Sequence, residues 1–203
     1  MRQTVYLRQF LIMFILLTAT SFTLYGQTGY QEFFNRSLEI NNTGMLVLGS
    51  WAVGNIAVGT YGWIRNEGDR KYFNQMNLFW NLINVTIAGF ALHGNSGTDI
   101  TALSDSEIIS KHLQTEKILL INSGLDIGYI GAGYLMRHFS GSSKNRTDLL
   151  RGYGNSVMLQ GTFLLVFDTV LYLILRDHRI SFPVDLQAGF ISGSLVPGIR
   201  FTF

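Results

Sequence analysis

The sequence contains no cysteine, only two prolines and few charged residues. The absence of cysteine excludes disulfides, thiolate nucleophiles, zinc ribbons and iron–sulfur ligation. The scarcity of proline argues against a linker-rich architecture. Charged residues make up 14% of the chain and hydrophobic residues 47%, whereas a soluble domain carries about 25% charged residues. The composition therefore favours a membrane protein.

Recognisable enzyme and nucleic-acid motifs are also missing. The net charge is +2 without a Lys/Arg cluster, so nothing indicates a nucleic-acid partner. No nucleophile elbow, phosphate-binding glycine loop, HExxH motif or paired Ser/His arrangement occurs. The spacing of His93, His112 and His178 matches no metal motif, and interfacial anchoring is their commoner use. The sequence predicts no metal or cofactor, and an enzyme would have to be of a membrane-embedded carboxylate type.

The N-terminus has the three regions of a secretory signal. Arg2 and Arg8 precede the apolar run FLIMFILLTA, and small and polar residues follow up to Gly26. This pattern predicts a signal peptide over residues 1–26 with cleavage after Gly26. An uncleaved signal anchor is the alternative. Both place residue 27 outside the cytoplasm.

Four further apolar segments are long enough to cross a bilayer, since a helix needs about 20 residues for a hydrocarbon core of about 30 Å. Buried helices of a soluble protein are the alternative, but too little amphipathic chain remains to wrap them. The sequence predicts an all-α membrane fold, a four-transmembrane-helix bundle over residues 27–179. The predicted spans are about 43–64, 73–93, 118–137 and 153–176.

Charges in the predicted loops favour one orientation, because Lys and Arg near the ends of spans favour the cytoplasmic side. The loops after the first and third spans are basic, and the loop between the second and third spans is mainly acidic. With residue 27 outside, this pattern predicts a bacterial inner-membrane protein whose C-terminus is also extracytoplasmic. The residues concerned are Arg65, Arg70, Lys71, Arg137, Lys144, Arg146 and Arg151 inside, and Asp99, Asp105, Glu107 and Glu116 outside.

Two local patterns flank these spans. Ser104 and Glu107 have capping-box spacing and predict the start of a helix that leads into the third span. This segment is either a short surface helix or a plain extension of the span. Residues 180–203 alternate apolar and polar residues around a Ser-Gly-Ser turn, which predicts a short β-hairpin-like extracytoplasmic tail. The final GIRFTF resembles the closing strand of outer-membrane barrels, so an outer-membrane location is the alternative, although one hairpin cannot close a barrel.

Polar side chains recur inside the predicted spans. Asn77, Asn81 and Asn84 are spaced i, i+4 and i+7, which puts them on one helix face. A carboxylate near the bilayer centre costs about 3 kcal/mol, and Arg and His occur in these spans only as the last residue, with no Lys. Asp126 and Asp168 are therefore either protonated or face water or a bound cation. The residues of this predicted polar seam are Asn55, Asn77, Asn81, Asn84, Asn122, Asp126, Gln160 and Asp168.

The seam supports two functional interpretations. It binds or conducts a proton, a cation or a small polar solute, or it holds together a structural or assembly subunit without transport activity. Ser50 with Gly54 and Gly124 with Gly128 have the small-xxx-small spacing of close helix packing. Besides the lipid bilayer, the expected partners are a second copy of the chain or another membrane protein.

A signal peptide followed by four apolar spans resembles the uncharacterised four-span membrane proteins that are common in Bacteroidota. The resemblance implies an all-helical membrane fold. It implies no activity and no site residues.

Overall fold

The structure, a computed structural model, describes residues 29–142 and 145–182. The predicted signal peptide and nearly all of the predicted C-terminal tail lie outside the described residues. Within the described ranges the chain is helical throughout, with no strand. Its four α-helices are α1 (Tyr30–Arg65), α2 (Gly68–Ser96), α3 (Asp105–His138) and α4 (Thr147–Ile180), and 3₁₀ turns occupy Ile100–Ala102 and Phe139–Ser142.

Each predicted span lies within one of these helices, and three of the helices are long and apolar enough to cross a membrane. These are α1, α3 with the 3₁₀ turn that follows it, and α4. The 36 residues of α1 correspond to about 54 Å at 1.5 Å per residue, more than a hydrocarbon core requires. The amide side chains of α2 make it less apolar, and its span over 73–93 stays a prediction.

The helix boundaries have local causes. Gly68 has a φ of 58°, a left-handed conformation that glycine adopts without steric cost and that permits the short turn between α1 and α2. The predicted capping box at the start of α3 is confirmed: Ser104 N donates to Glu107 Oε2 at 2.8 Å, and Glu107 N donates to Ser104 Oγ at 3.4 Å. From there α3 continues unbroken to His138, so this segment is an extension of the predicted span.

The helices form two hairpins, α1 with α2 and α3 with α4, and the hairpins meet chiefly where α2 packs on α4. One end of the bundle, the Asn66 end, contains both hairpin turns. There Tyr153 of α4 donates to Gln75 of α2 at 2.8 Å. At the opposite end, the Asn95 end, Asn95 Nδ2 donates to Asn41 Oδ1 at 2.9 Å and to Asn42 Oδ1 at 2.7 Å.

Many large apolar side chains are exposed, and on α2 the distribution of polar and apolar side chains is the reverse of that in a soluble protein. On α2, Ile83, Ile87 and Phe90 are exposed, Phe90 by 74%. The opposite face of the same helix buries Asn74, Asn77, Asn81 and Asn84. Large apolar side chains are likewise exposed along α1, α3 and α4. Such a surface suits hydrocarbon rather than water. Together with the length of the helices, it indicates a membrane protein.

Glycines allow a close helix contact between α3 and α4. A Cβ on Gly133 would lie 2.7 Å from Gly154 O, and one on Gly154 would lie 2.6 Å from Gly133 O. The glycines predicted for packing are located elsewhere. A Cβ on Gly54, Gly124 or Gly128 would meet nothing within 4 Å, and Ser50 is exposed. Within the described chain, these small residues contact no neighbouring helix.

Candidate functional site

Asn77 is the centre of an amide network that joins three helices. Its Nδ2 donates to Asn55 O at 3.2 Å and to Asn55 Oδ1 at 3.0 Å. Its Oδ1 accepts a hydrogen bond from Gln160 Nε2 of α4. Asn77 is 1% exposed, and Asn81 and Gln160 are fully buried. The network therefore links α1, α2 and α4, and its members on α2 and α4 are buried.

The network extends along α2 and α1. Asn81 Nδ2 donates to Asn77 O at 2.8 Å, and Asn84 Nδ2 donates to Asn81 Oδ1 at 3.4 Å. Trp51 Nε1 donates to Gln160 Oε1 at 3.1 Å. The side-chain oxygens of all these amides except Asn84 accept a hydrogen bond from another member of the group. The network therefore satisfies most of its own hydrogen-bonding capacity.

Asp126 and Asp168 form a separate pair between α3 and α4. Their carboxyl groups are close enough to interact, and the two residues are 2% and 5% exposed. A hydrogen bond between two carboxyl groups requires a proton on one of them, because an ionised carboxylate only accepts. Asp126 Oδ2 has no hydrogen-bond partner among the described residues. The pair thus combines two neighbouring buried acids with one oxygen that lacks a partner.

The predicted seam therefore comprises two clusters. Asn55, Asn77, Asn81, Asn84 and Gln160 belong to the amide network, and α3 contributes only through Asp126. Asn122, one helical turn before Asp126, is half-buried, and no hydrogen bond of the described residues joins it to either cluster. Each of the four helices still supplies a polar group to the interior.

A third polar cluster lies at the Asn95 end. Ser37 Oγ lies 2.8 Å from His112 Nδ1, and His112 Nε2 lies 2.9 Å from Glu116 Oε1. The Arg179 guanidinium donates two hydrogen bonds to the same carboxylate, from Nε to Oε1 at 2.8 Å and from Nη2 to Oε2 at 3.1 Å. Ser37, His112 and Glu116 are 5%, 2% and 5% exposed. The cluster ties α1, α3 and α4 together.

Sequence reasoning missed this third cluster. Ser37 and His112 are 75 residues apart, so no local motif joins them. Their contact depends on how α1 and α3 pack. The interpretation of His112 as an interfacial anchor does not fit its 2% exposure. The spacing of His112 and Glu116 by four residues on one helix face was the available signal.

The histidines do not come together as a metal site. His178 Nε2 lies 2.9 Å from Phe33 O, and its ring is 6.0 Å from that of His112. His93 is exposed at the end of α2. Among residues 29–142 and 145–182, no group of three His, Asp or Glu side chains is placed to hold a metal ion.

Comparison with known proteins yields one match. Residues 47–169, more than half of the chain, match the family described as Family of unknown function (DUF6992). No curated protein and no solved structure matches the chain. The matched range contains the amide network and both aspartates of the pair, but it excludes Ser37 and Arg179.

Proposed function

The chain belongs to this family of unknown function, and we propose that it is an integral membrane protein that binds and releases a proton at the Asp126–Asp168 pair. The observation that carries the proposal is the burial of these two neighbouring carboxyl groups on helices long and apolar enough to cross a membrane. Two facing carboxylates in a low-dielectric interior repel each other, so one shared proton is the stable state.

The surroundings of the pair favour a proton over other counter-ions. The only basic residues of the segments 118–137 and 153–176 are Arg137 and Arg176, each the last residue of its segment. Without a buried basic partner, a second negative charge at the pair would be uncompensated. Uptake and release of one proton therefore changes the net charge of the interior.

A metal cation or polar solute fits the interior less well. Ca²⁺ and Mg²⁺ require six or more oxygen ligands. The amide oxygens that could serve as such ligands already accept hydrogen bonds within the network. They are Asn55 Oδ1, Asn77 Oδ1 and Gln160 Oε1. The amides therefore stabilise the bundle, while the carboxyl pair supplies the group that can change its protonation state.

Proton movement across reconstituted vesicles tests this function. The full chain in vesicles with an internal pH-sensitive dye is expected to carry protons under an imposed gradient. Asp126→Asn and Asp168→Asn, which keep the size and remove the acid, are expected to lower the rate by at least about tenfold, the scale of losing an essential proton-transfer group. The control is Asp105→Asn, an exposed carboxylate in the first turn of α3. Equal rates in all four proteins, or none in the wild type, would contradict the proposal.

A structural role is the second candidate function. The amide network links three helices without needing a ligand, and the small residues Ser50, Gly54, Gly124 and Gly128 face outward. These faces suit a helix of a second copy or of another membrane protein. Gly124→Leu is expected to abolish cross-linked dimers in membranes if a copy packs there. Unchanged cross-linking would show that a second copy does not pack on this surface.

Loop charges and the N-terminal pattern support a location in the bacterial inner membrane, with the Asn95 end outside the cytoplasm. The Asn66 end contains Arg70 and Lys71, and the 3₁₀ turn at this end follows Arg137. Basic residues at one end of the bundle favour its cytoplasmic placement.

A further inference from the structure

Ser37, His112 and Glu116 form a chain of side-chain contacts. The serine and the histidine line a pocket of about 190 Å³ at the Asn95 end. The two contacts are 2.8 and 2.9 Å long. A hydroxyl, an imidazole and a carboxylate within hydrogen-bond reach are the parts of an activated nucleophile. The pocket gives the serine a route to a small molecule.

The tautomer of His112 follows from its partners. Glu116 is held as a carboxylate by two hydrogen bonds from Arg179, and a carboxylate only accepts. His112 Nε2 must therefore carry the proton that it shares with Glu116. In the neutral imidazole, Nδ1 then has a lone pair directed at Ser37 Oγ, which is the arrangement of a general base.

The hydroxyl of Ser37 has two acceptors within reach. It lies 3.0 Å from Phe33 O of its own helix and 2.8 Å from His112 Nδ1. A hydroxyl proton rotates to suit its acceptor. The shorter contact joins Ser37 to the base.

The pocket also offers hydrogen-bond donors near the serine. Asn41 follows Ser37 by one helical turn and lines the pocket together with Asn95 and Lys111. Asn41 Oδ1 already accepts from Asn95, so Asn41 Nδ2 serves as a donor. Amide and ammonium donors are the groups that stabilise an oxyanion in acyl transfer.

We propose that Ser37 is the nucleophile of an acyl-transfer site that hydrolyses short-chain carboxylic esters at the Asn95 end. Ser37 Oγ attacks the carbonyl carbon, and His112 Nδ1 takes the hydroxyl proton and delivers it to the leaving alkoxide. This forms an acyl-Ser37 ester and an alcohol. Water then attacks the ester and gives its proton to His112, which returns it to Ser37 as the carboxylic acid leaves. Glu116, fixed by Arg179, positions the imidazole.

The pocket, about 190 Å³ in volume, has room for a small acyl group such as acetyl. This inference is independent of the carboxyl pair, because none of its residues belongs to that pair.

The test uses the full chain in lipid nanodiscs with diisopropyl fluorophosphate as a covalent probe and p-nitrophenyl acetate as a substrate. Peptide mass mapping is expected to place one adduct on Ser37 and to show none in Ser37→Ala. The matched control is Ser50→Ala, an exposed serine on the same helix, which should keep both the adduct and the hydrolysis.

Variants of the base separate chemistry from folding. His112→Gln is expected to slow labelling by about 100-fold, the lower range for loss of a general base. Glu116→Gln, which preserves size, should slow it by about tenfold while its elution profile matches the wild type. An unlabelled Ser37 in the folded wild-type chain would overturn the proposal, as would labelling that is equally fast in either variant.

Discussion

Asn77 is the centre of the amide network in the interior of the bundle. It donates to Asn55 and accepts from both Gln160 and Asn81. Buried polar groups in a membrane bundle contribute about 0.6 to 2 kcal/mol per interhelical hydrogen bond. The energetic value of Asn77 exceeds that of one contact, because its removal leaves several buried partners without a hydrogen bond.

Asn77→Leu is therefore expected to destabilise the bundle. Leaving Gln160 Nε2 and Asn55 Oδ1 without a partner costs about 2 kcal/mol or more in the free energy of unfolding, since each buried unsatisfied group costs about 1–3 kcal/mol. The measurement is unfolding in mixed detergent micelles. Asn122→Leu is the control, because Asn122 is half-buried and joins neither cluster. Equal losses in the two variants would contradict the role assigned to Asn77.

The charged cluster around Glu116 allows a second prediction for single residues. Glu116→Ala removes the partner of both His112 and Arg179, whose side chains are fully buried and 34% exposed. Leaving the buried His112 Nε2 without its partner costs about 1–3 kcal/mol. The Arg36–Glu39 pair is a natural comparison, since its side chains are 37% and 66% exposed. Glu39→Ala should cost less than about 1 kcal/mol. Thermal unfolding of both variants measures the difference, and comparable losses would contradict the burial argument.

At the scale of helices, glycine position determines how closely α3 and α4 approach. Gly133 and Gly154 face each other with no room for a side chain, whereas Gly124 on the same α3 faces open space. The sequence spacing of the glycines alone does not distinguish the packed Gly133 from the exposed Gly124. Gly124, Gly128 and Ala132 recur every four positions on α3, yet it is Gly133, outside this series, that meets α4.

Gly133→Ala and Gly124→Ala should change stability in opposite directions. In the first variant the new methyl group contacts the backbone of α4, and overpacking of this kind costs about 1–3 kcal/mol. The second variant gains up to about 1 kcal/mol from the helix propensity of alanine. Unfolding in micelles measures both. A stabilised Gly133→Ala would show that α3 and α4 do not approach as closely as described.

Much of the helical architecture was predictable from the sequence, because apolar length and the Ser104–Glu107 cap are local signals. The shared face of Asn77, Asn81 and Asn84 was also predictable, since helical periodicity fixes it. The partners of these side chains were not predictable. Whether Asp126 meets Asp168, or Ser37 meets His112, depends on the rotation of each helix about its own axis, which residues far apart in the chain determine together.

For the whole molecule, many large apolar side chains face outward, while the interior contains polar groups beside its apolar clusters. The two hairpin turns lie at the Asn66 end, and the other chain connection lies at the Asn95 end. If the bundle spans a membrane with the predicted orientation, these two ends are in different compartments.

The cysteine-free sequence makes this orientation easy to measure. Glu67→Cys and Asp99→Cys each introduce the only thiol at an exposed position, one at each end. In intact cells, a membrane-impermeant maleimide is expected to label Asp99→Cys and to leave Glu67→Cys unlabelled until the membrane is permeabilised. The reverse pattern would invert the proposed topology, and labelling of both in intact cells would contradict a spanning bundle.

The shared proton of Asp126 and Asp168 is the central claim, and infrared spectroscopy of the full chain in lipid bilayers tests it most directly. The carbonyl stretch of a protonated carboxyl group is separate from the bands of a carboxylate. The account predicts this band in the wild type at neutral pH, its loss or displacement in both Asp126→Asn and Asp168→Asn, and its persistence in Asp105→Asn. A wild-type spectrum without the band, or a band unchanged in both variants, would contradict the account.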